Sequence, residues 1–365
     1  MTSLADFQEL AAKADKIDWT TREQRAVALM GALGEYGSVV AELKKRRRDT
    51  AAYTGFSERF GEELGDLLWY IAAIARHRRV RLADLETATS LREDEGWFSL
   101  GQGLSELASL VNNEGANEDR VNMLLGSAAG QLRKAAADYG TSLEDIADQN
   151  LKKTRSRWEG DPASPAPCSD RILKVPAEER LPRQETIDFI ERERPKGGAV
   201  AILRCRGISV GDRLTDNAHE DDGYRFHDAF HLAHAAILGW SPVMRSLFRC
   251  KRKSKPEIDE VEDGARAVIA EESVSFLTFD YARRHNYFDG VKRVDQDLIR
   301  HIQSVVCGLE VAERDRWEWE HVILHGYSVF RKLNDTPHGG VVRIDAEQRL
   351  IKYVRDIEEA EVADP

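Results

Sequence analysis

Phe60-Gly61-Glu62-Glu63-Leu64-Gly65-Asp66-Leu67-Leu68-Trp69-Tyr70-Ile71-Ala72-Ala73-Ile74 decides how the first half of the chain is read. Its apolar residues Phe60, Leu64, Leu67, Leu68, Ile71 and Ile74 recur at three- and four-residue steps, which makes one broad apolar face on a helix. Glu62, Glu63 and Asp66 interrupt that otherwise apolar segment. Glu63 and Asp66 stand three apart, so both carboxylates lie on one helix face with overlapping reach. Two such oxygens can share a cation, and hard oxygen ligands suit Mg²⁺, which is normally shared with substrate phosphates. Glu35 falls on the preceding long helix, expected from about Arg22 to Lys45, and antiparallel packing would set it opposite the pair.

The helical pattern extends outward from this segment over Leu4 to about Trp158, a stretch without proline. Gly160-Asp161-Pro162-Ala163-Ser164-Pro165-Ala166-Pro167 then ends it, because no helix interior tolerates three prolines in six residues. The expected organisation is an all-α bundle over 1–159, a Pro-rich linker over 160–180 and a second domain over 181–365. In that second domain Glu185–Ile190 and Ala199–Leu203 read as short strands joined by a turn at Pro195-Lys196-Gly197-Gly198. Helical periodicity returns from about Tyr224 to Leu333, and a last hairpin pairs Val341–Ile344 with Leu350–Val354. The fold class is therefore mainly α, with a helix-rich α+β second domain carrying small antiparallel strands.

The first domain also aligns with itself. Leu33–Val40 parallels Leu104–Val111, Gly61–Leu67 parallels Gly126–Leu132, and Leu82–Leu85 parallels Leu143–Ile146. In the second copy Glu63 and Asp66 become Ala128 and Gln131, so only the copy at 20–85 can hold a metal and the copy at 98–158 is degenerate.

Bulk properties exclude several classes. The chain's 365 residues suffice for two or three domains with sizeable cores. With 42% apolar and 32% charged residues it is globular, neither disordered nor fibrous. Its 64 acidic against 53 basic residues give a net charge of −11, which argues against a general coat for nucleic acid or anionic membrane. Cys168, Cys205, Cys250 and Cys307 form no C-x-x-C pair, so neither a zinc ribbon nor a disulfide framework is expected. Asp6 and Glu9 stand where a signal peptide needs basic and apolar residues, and the longest apolar stretch, Leu67–Ala75, is too short for a bilayer. A cytoplasmic protein without a membrane partner is the expectation.

Gly34-Glu35-Tyr36-Gly37-Ser38, followed by Glu62 to Tyr70, resembles the MazG-type all-α nucleoside triphosphate pyrophosphohydrolases, whose pattern is E-x-x-E, a spacer and E-x-x-D. Glu35 matches the first position, and Glu63 and Asp66 the last two. Asn150, Lys153 and Arg157 are similar to that family's closing N-x-x-K-x-x-x-R segment. The resemblance implies a Mg²⁺ site, with Mn²⁺ as a substitute, at Glu35, Glu63 and Asp66 with Glu62 beside them. It also implies contact of Asn150, Lys153 and Arg157 with the nucleotide, and cleavage of a (d)NTP to (d)NMP and pyrophosphate. Such bundles are usually built from two subunits, so either a homodimer or an intramolecular pseudo-dimer of the two copies is implied.

One position departs from the pattern: Ser38 stands where the second acid belongs, and a neutral hydroxyl is a weak metal ligand. Glu42 lies about 10 Å further along the helix axis, and pairing with Lys45 or Arg46 accounts for it. Ser38 favours a second reading, a catalytically weak or inactive nucleotide-binding sensor or regulator. Two basic runs, Lys44–Arg48 and Arg76–Arg79, are candidate phosphate contacts.

The second domain carries its own polar constellation and resembles the MazG-associated C-terminal domain from about Leu181 to Val354. In Tyr224-Arg225-Phe226-His227-Asp228-Ala229-Phe230-His231-Leu232-Ala233-His234, His227 and His231 are one helical turn apart, which lets two imidazoles face one ligand. Asp228, Glu262, Asp263, Glu271 and Glu272 could complete a metal or proton-transfer site there, with Arg266 for a phosphate. Lys251-Arg252-Lys253-Ser254-Lys255 reads as a basic loop able to meet a phosphate backbone.

Overall fold

Thr21 opens the longest helix of the protein: its hydroxyl accepts the Gln24 N–H, which satisfies one of the donors that a helix start leaves unpaired. The computed structural model describes residues 2–85, 92–111, 116–157, 169–195 and 197–358. The chain divides into two units, Met1–Trp158 and Glu159–Pro365.

The first unit is all helix: α1 (Leu4–Ala12), α2 (Arg22–Asp49), α3 (Phe56–His77), α4 (Leu82–Leu85), α5 (Glu93–Val111), α6 (Glu118–Asp138) and α7 (Leu143–Ser156). The apolar face read on Phe60–Ile74 is the centre of its core, where Phe60, Leu64, Leu67, Leu68, Ile71 and Ile74 are at most 1% exposed. Burying a side chain of this size stabilises by roughly 1.5–3 kcal/mol. By length and composition the stretch Arg22–Ala52 could cross a membrane; here α2 packs on α3 and α5. The packing has a reciprocal pattern. Helix α2 packs on α3 as α5 packs on α6, α3 meets α7 as α6 meets α4, and the pairs α2–α5 and α3–α6 cross the bundle.

The second unit contains α8 (Ser169–Ile172), β1 (Gln184–Glu193), β2 (Ala199–Cys205), β3 (Ile208–Leu214), α9 (Asp228–Ala233), α10 (Pro242–Leu247), α11 (Pro256–Val261), α12 (Ala265–Arg283), α13 (Gln296–Val305), α14 (Arg316–Asp335), β4 (Gly339–Asp345) and β5 (Leu350–Asp356). The strands form one antiparallel sheet in the order β3-β2-β1-β4-β5. Ile187 and Phe189 of β1, Leu203 of β2 and Val342 and Ile344 of β4 face the helical layer, where α14 packs on β4 and β5.

Some of these features differ from expectation. The two hairpins are joined in a single sheet by β1–β4 pairing, with Ile187 opposite Val342. β3 is an additional edge strand. The two-residue turn before it places Arg206 and Gly207 at φ 51° and 77°, the left-handed pair that such hairpins use. Of the segment read as linker, residues 160–168, including Cys168, lie outside the described residues. Residues 169–180 pack into the second unit, where Val175 is fully buried. There Asp170 binds Arg245 at 2.5 Å and accepts the Leu181 N–H at 3.0 Å. Cys205, Cys250 and Cys307 are free thiols.

In the basic run at 251–255 only Lys253 and Lys255 are exposed lysines, and Arg252 is withdrawn from any phosphate contact. Arg252 is fully buried and binds Asp263 at 2.6 Å and Glu310 at 2.9 Å, an ion cluster that fixes the start of α12. His321 on α14 packs against His325 with ring centroids 3.9 Å apart and planes tilted by 41°. Burial and the neighbouring His325 hold its pKa down at about 4. In the unfolded chain an imidazole protonates near pH 6.5, so stability that is complete above that pH is lost as pH falls towards 4. The melting temperature of the second unit is expected to drop on acidification from pH 7 to 4.5. His321→Gln should flatten that slope, as read by calorimetry across a pH series.

Candidate active site

Three helices of the first unit build a carboxylate cluster. Helix α2 contributes Glu35, and α3 contributes Glu63 and Asp66, with one oxygen from each within 4.8 Å of the others. All three side chains are half-buried. Like charges so close raise the cost of ionisation. The Glu35 carboxyl is pushed up to about 7 by burial, then by Asp66 and Glu63. Burial and Asp66 also raise Glu63, against the pull of Lys153. A cluster that holds a proton at neutral pH for want of a cation fits a hard divalent ion.

The third wall is α7. Asn150 Nδ2 donates to Asp66 Oδ1 at 2.7 Å, and Lys153 Nζ bonds Asp66 Oδ2. Lys153 Nζ also lies 2.7 Å from Glu62 Oε1. Gly65 permits this approach, because a Cβ added there would sit 3.1 Å from the Asn150 Cβ. Asn150 and Lys153, expected against the nucleotide, are thus engaged by the acids of α3.

Glu62, expected among the metal ligands, lies next to the trio and shares Lys153 with Asp66. Glu62 precedes Asp66 by one turn of α3, and Lys153 Nζ bridges the two carboxylates. Ser38 is half-buried one turn beyond Glu35 and adds no charge. Glu42 binds Lys45 at 2.5 Å and accepts the Tyr53 hydroxyl, the local pairing its spacing suggested. The basic runs are also paired: Arg47 with Asp94, Arg76 with Asp15 and Arg78 with Glu118.

Beside the cluster lies a pocket of about 320 Å³ lined by Glu35, Asp66, Trp69, Tyr70, Lys16 and Arg157, among others. Trp69 and Tyr70 meet edge to face with centroids 5.0 Å apart, and the Trp69 indole N–H is buried without an acceptor among the described residues. The pocket therefore joins carboxylates, cationic groups and aromatic faces. At the aligned positions of α6, Ala128 and Gln131 are buried and neutral.

The second unit gathers a different group. His227, Asp228 and His231 place one ligand atom each within 4.8 Å, and so do His231, His234 and Glu271. Glu271, fully buried, receives His231 Nδ1 at 2.9 Å, His234 Nδ1 at 3.1 Å, Ser241 Oγ at 2.8 Å and the Val243 N–H at 2.9 Å. Burial opposes charge on both partners, yet their attraction prevails: His231 is held at about 10 and Glu271 at about 2. Glu272 joins through His231 Nε2 at 3.5 Å.

Glu262, Asp263 and Arg266 do not complete this group as expected. Asp263 is taken by Arg252, Glu262 accepts the Glu310 N–H at 3.0 Å, and Arg266 is exposed. Glu262 and Asp263 precede Glu271 by more than two helical turns and lie before the start of α12, and Arg266 precedes it by about a turn and a half. His234 and Ser241 are the members that the sequence reading passed over. His234 follows His231 by three and His227 by seven, a helical spacing that carried the signal.

A family model described as the MazG C-terminal domain matches residues 169–357. The chain belongs to this family, by a match that covers more than half of it and contains the histidine group. Membership points to a nucleotide-related role and is compatible with a hydrolase. No curated protein matches the chain, and no solved structure does.

Proposed function

We propose that the first unit is a divalent-metal-dependent nucleoside triphosphate pyrophosphohydrolase. The observation that carries this reading is the convergence of Glu35, Glu63 and Asp66 beside a pocket with aromatic and cationic walls. Those three carboxylates would hold Mg²⁺ or Mn²⁺. When bound, the ion supplies neutralising charge to the triphosphate and lowers the pKa of an attacking water.

The chain's own residues divide the remaining work. Trp69 and Tyr70 offer flat faces for a base, with the indole N–H as a donor. Arg157 and Lys16 line the same pocket and attract phosphate oxygens. Asn150 and Lys153 hold Asp66 in place. Glu35, which comes from α2 to the pocket wall opposite Glu63 and Asp66, is the carboxylate placed to accept the proton of a water whose oxygen attacks the α phosphorus. The α–β bridging oxygen leaves with pyrophosphate, and the nucleoside monophosphate keeps the new oxygen.

The reciprocal packing of α2, α3 and α4 with α5, α6 and α7 supports an intramolecular pseudo-dimer of the segments 20–85 and 98–158. Its second half lacks the acids. On this reading a homodimer is not needed to complete the site, and the protein acts on free nucleotides without a membrane or nucleic-acid partner. The test is incubation of the full chain with Mg²⁺ or Mn²⁺ and each common (d)NTP, reading pyrophosphate separately from orthophosphate. Pyrophosphate equal to monophosphate is expected from at least one substrate. Orthophosphate alone would exclude α–β cleavage, and nucleotide binding without either product would instead support the regulator that Ser38 favours.

A further inference from the structure

We propose that His227, Asp228, His231 and Glu272 form a second divalent-metal site, in the C-terminal unit, selective for a transition ion such as Zn²⁺, Fe²⁺ or Mn²⁺. The ring orientations carry the argument. His227 Nδ1–H donates to the Tyr224 carbonyl at 2.8 Å, and the Tyr224 ring stacks on the imidazole with centroids 4.4 Å apart and planes 6° from parallel. His231 Nδ1–H donates to Glu271 at 2.9 Å. With both Nδ1 atoms engaged, Nε2 is the ligating atom left on each ring, and at His231 the incoming metal ion displaces the Nε2 proton to solvent while Nδ1–H stays on Glu271. A carboxylate or carbonyl behind the distal nitrogen is the arrangement that orients metal-binding imidazoles.

The rest of the group meets those nitrogens. His231 is fully buried, and its Nε2 has no hydrogen-bond partner among the described residues. The nearest carboxylate oxygen, on Glu272, is 3.5 Å away, too long for a well-formed hydrogen bond. The Asp228 side chain is 6% exposed and within 4.8 Å of ligand atoms on both histidines. Three carboxylates, Asp228, Glu271 and Glu272, surround two imidazoles, a surplus of negative charge that a divalent ion would balance. Glu272 is 43% exposed along its side chain and gives the group a solvent side.

Glu271 is not a ligand, because its two oxygens already accept four hydrogen bonds. The helix bearing the histidines runs into a π-helical turn at His234–Leu238, an irregularity that often marks functional positions. Two nitrogen and two oxygen donors suit a borderline transition ion better than Mg²⁺, which takes oxygen ligands.

The site is independent of the N-terminal carboxylates, so its test can be kept separate from theirs. Full-length wild type and Glu63→Gln are stripped with a chelator, reloaded with Zn²⁺ or Mn²⁺, dialysed, and assayed for bound metal by mass spectrometry. One retained equivalent is expected in Glu63→Gln, and at least one in wild type. Affinity is expected to fall about tenfold or more in His227→Gln, His231→Gln and Glu272→Gln. The half-exposed Glu272 supplies the variant least able to disturb folding, and circular dichroism checks each. His234→Gln, altered at a ring whose Nδ1 bonds Glu271 and which packs against Trp240 and Trp319, is expected to keep the metal. The proposal is overturned if no equivalent is retained, if the three variants retain metal like wild type, or if His234→Gln alone loses it.

Discussion

Glu63→Gln is expected to lower pyrophosphate release by about a hundredfold or more. Outer-sphere partners of a metal typically account for ten- to hundredfold in activity, and Glu63 is placed among the ligands themselves. The amide keeps the size of the side chain and removes one of three charges that lie within 4.8 Å of one another. Its second consequence has the opposite sign. Glu35 and Glu63 are both raised by burial and by their acidic neighbours, so the metal-free cluster opposes folding once pH rises above the ordinary glutamate range. Removing one carboxylate relieves that repulsion. Metal-free Glu63→Gln should therefore melt no lower than metal-free wild type at pH 7.5, and higher if the repulsion dominates. Loss of activity together with a large loss of metal-free stability would mean that Glu63 is a structural residue.

Glu271→Ala is expected to have the largest effect on the C-terminal unit. The substitution strands two imidazoles, the Ser241 hydroxyl and the Val243 N–H in a region where Glu271 and His231 are both fully buried. Breaking a buried ion pair by removing one partner costs about 3–5 kcal/mol, equivalent to a fall of roughly 10 °C in melting temperature for a unit of this size. Ser241→Ala, which removes one donor and leaves the carboxylate with three, should cost about 1 kcal/mol. Calorimetry on the full chain reads both. Equal melting of Glu271→Ala and wild type would show that the four hydrogen bonds are not made in solution.

The sequence was most legible where periodicity and burial coincide. Helix α3 was read from Phe60, Leu64, Leu67, Leu68 and Ile71, and these are the residues at its centre. The same spacing placed Glu63 and Asp66 on one face, and Glu35 does approach them from α2. Glu62, read beside the ligands, is joined to Asp66 through Lys153, a partner from α7 that spacing within α3 does not reveal. β3 escaped notice because Ile208 is 71% exposed on an edge strand and the strand shows no alternation of burial. Its one signal was Arg206-Gly207.

Other features had no local signal at all. The β1–β4 pairing joins segments more than 140 residues apart, and only the tertiary fold brings them together. Arg252 stands in a run of lysines that reads as a solvated loop, yet it is fully buried, because Asp263 and Glu310 come from distant turns to neutralise it. Long-range charge pairing of this kind cannot be inferred from spacing.

The central claim, that Glu35, Glu63 and Asp66 together hold a divalent ion beside a triphosphate, is tested most directly by calorimetric titration of Mg²⁺, which the histidine group suits poorly, into the full chain. The titration is run in the presence of a dNTP whose α–β bridge is a non-hydrolysable methylene. Saturable uptake is expected in wild type, weakened by about a hundredfold in Glu63→Gln. Absence of uptake in wild type, or equal uptake in both proteins, would contradict it.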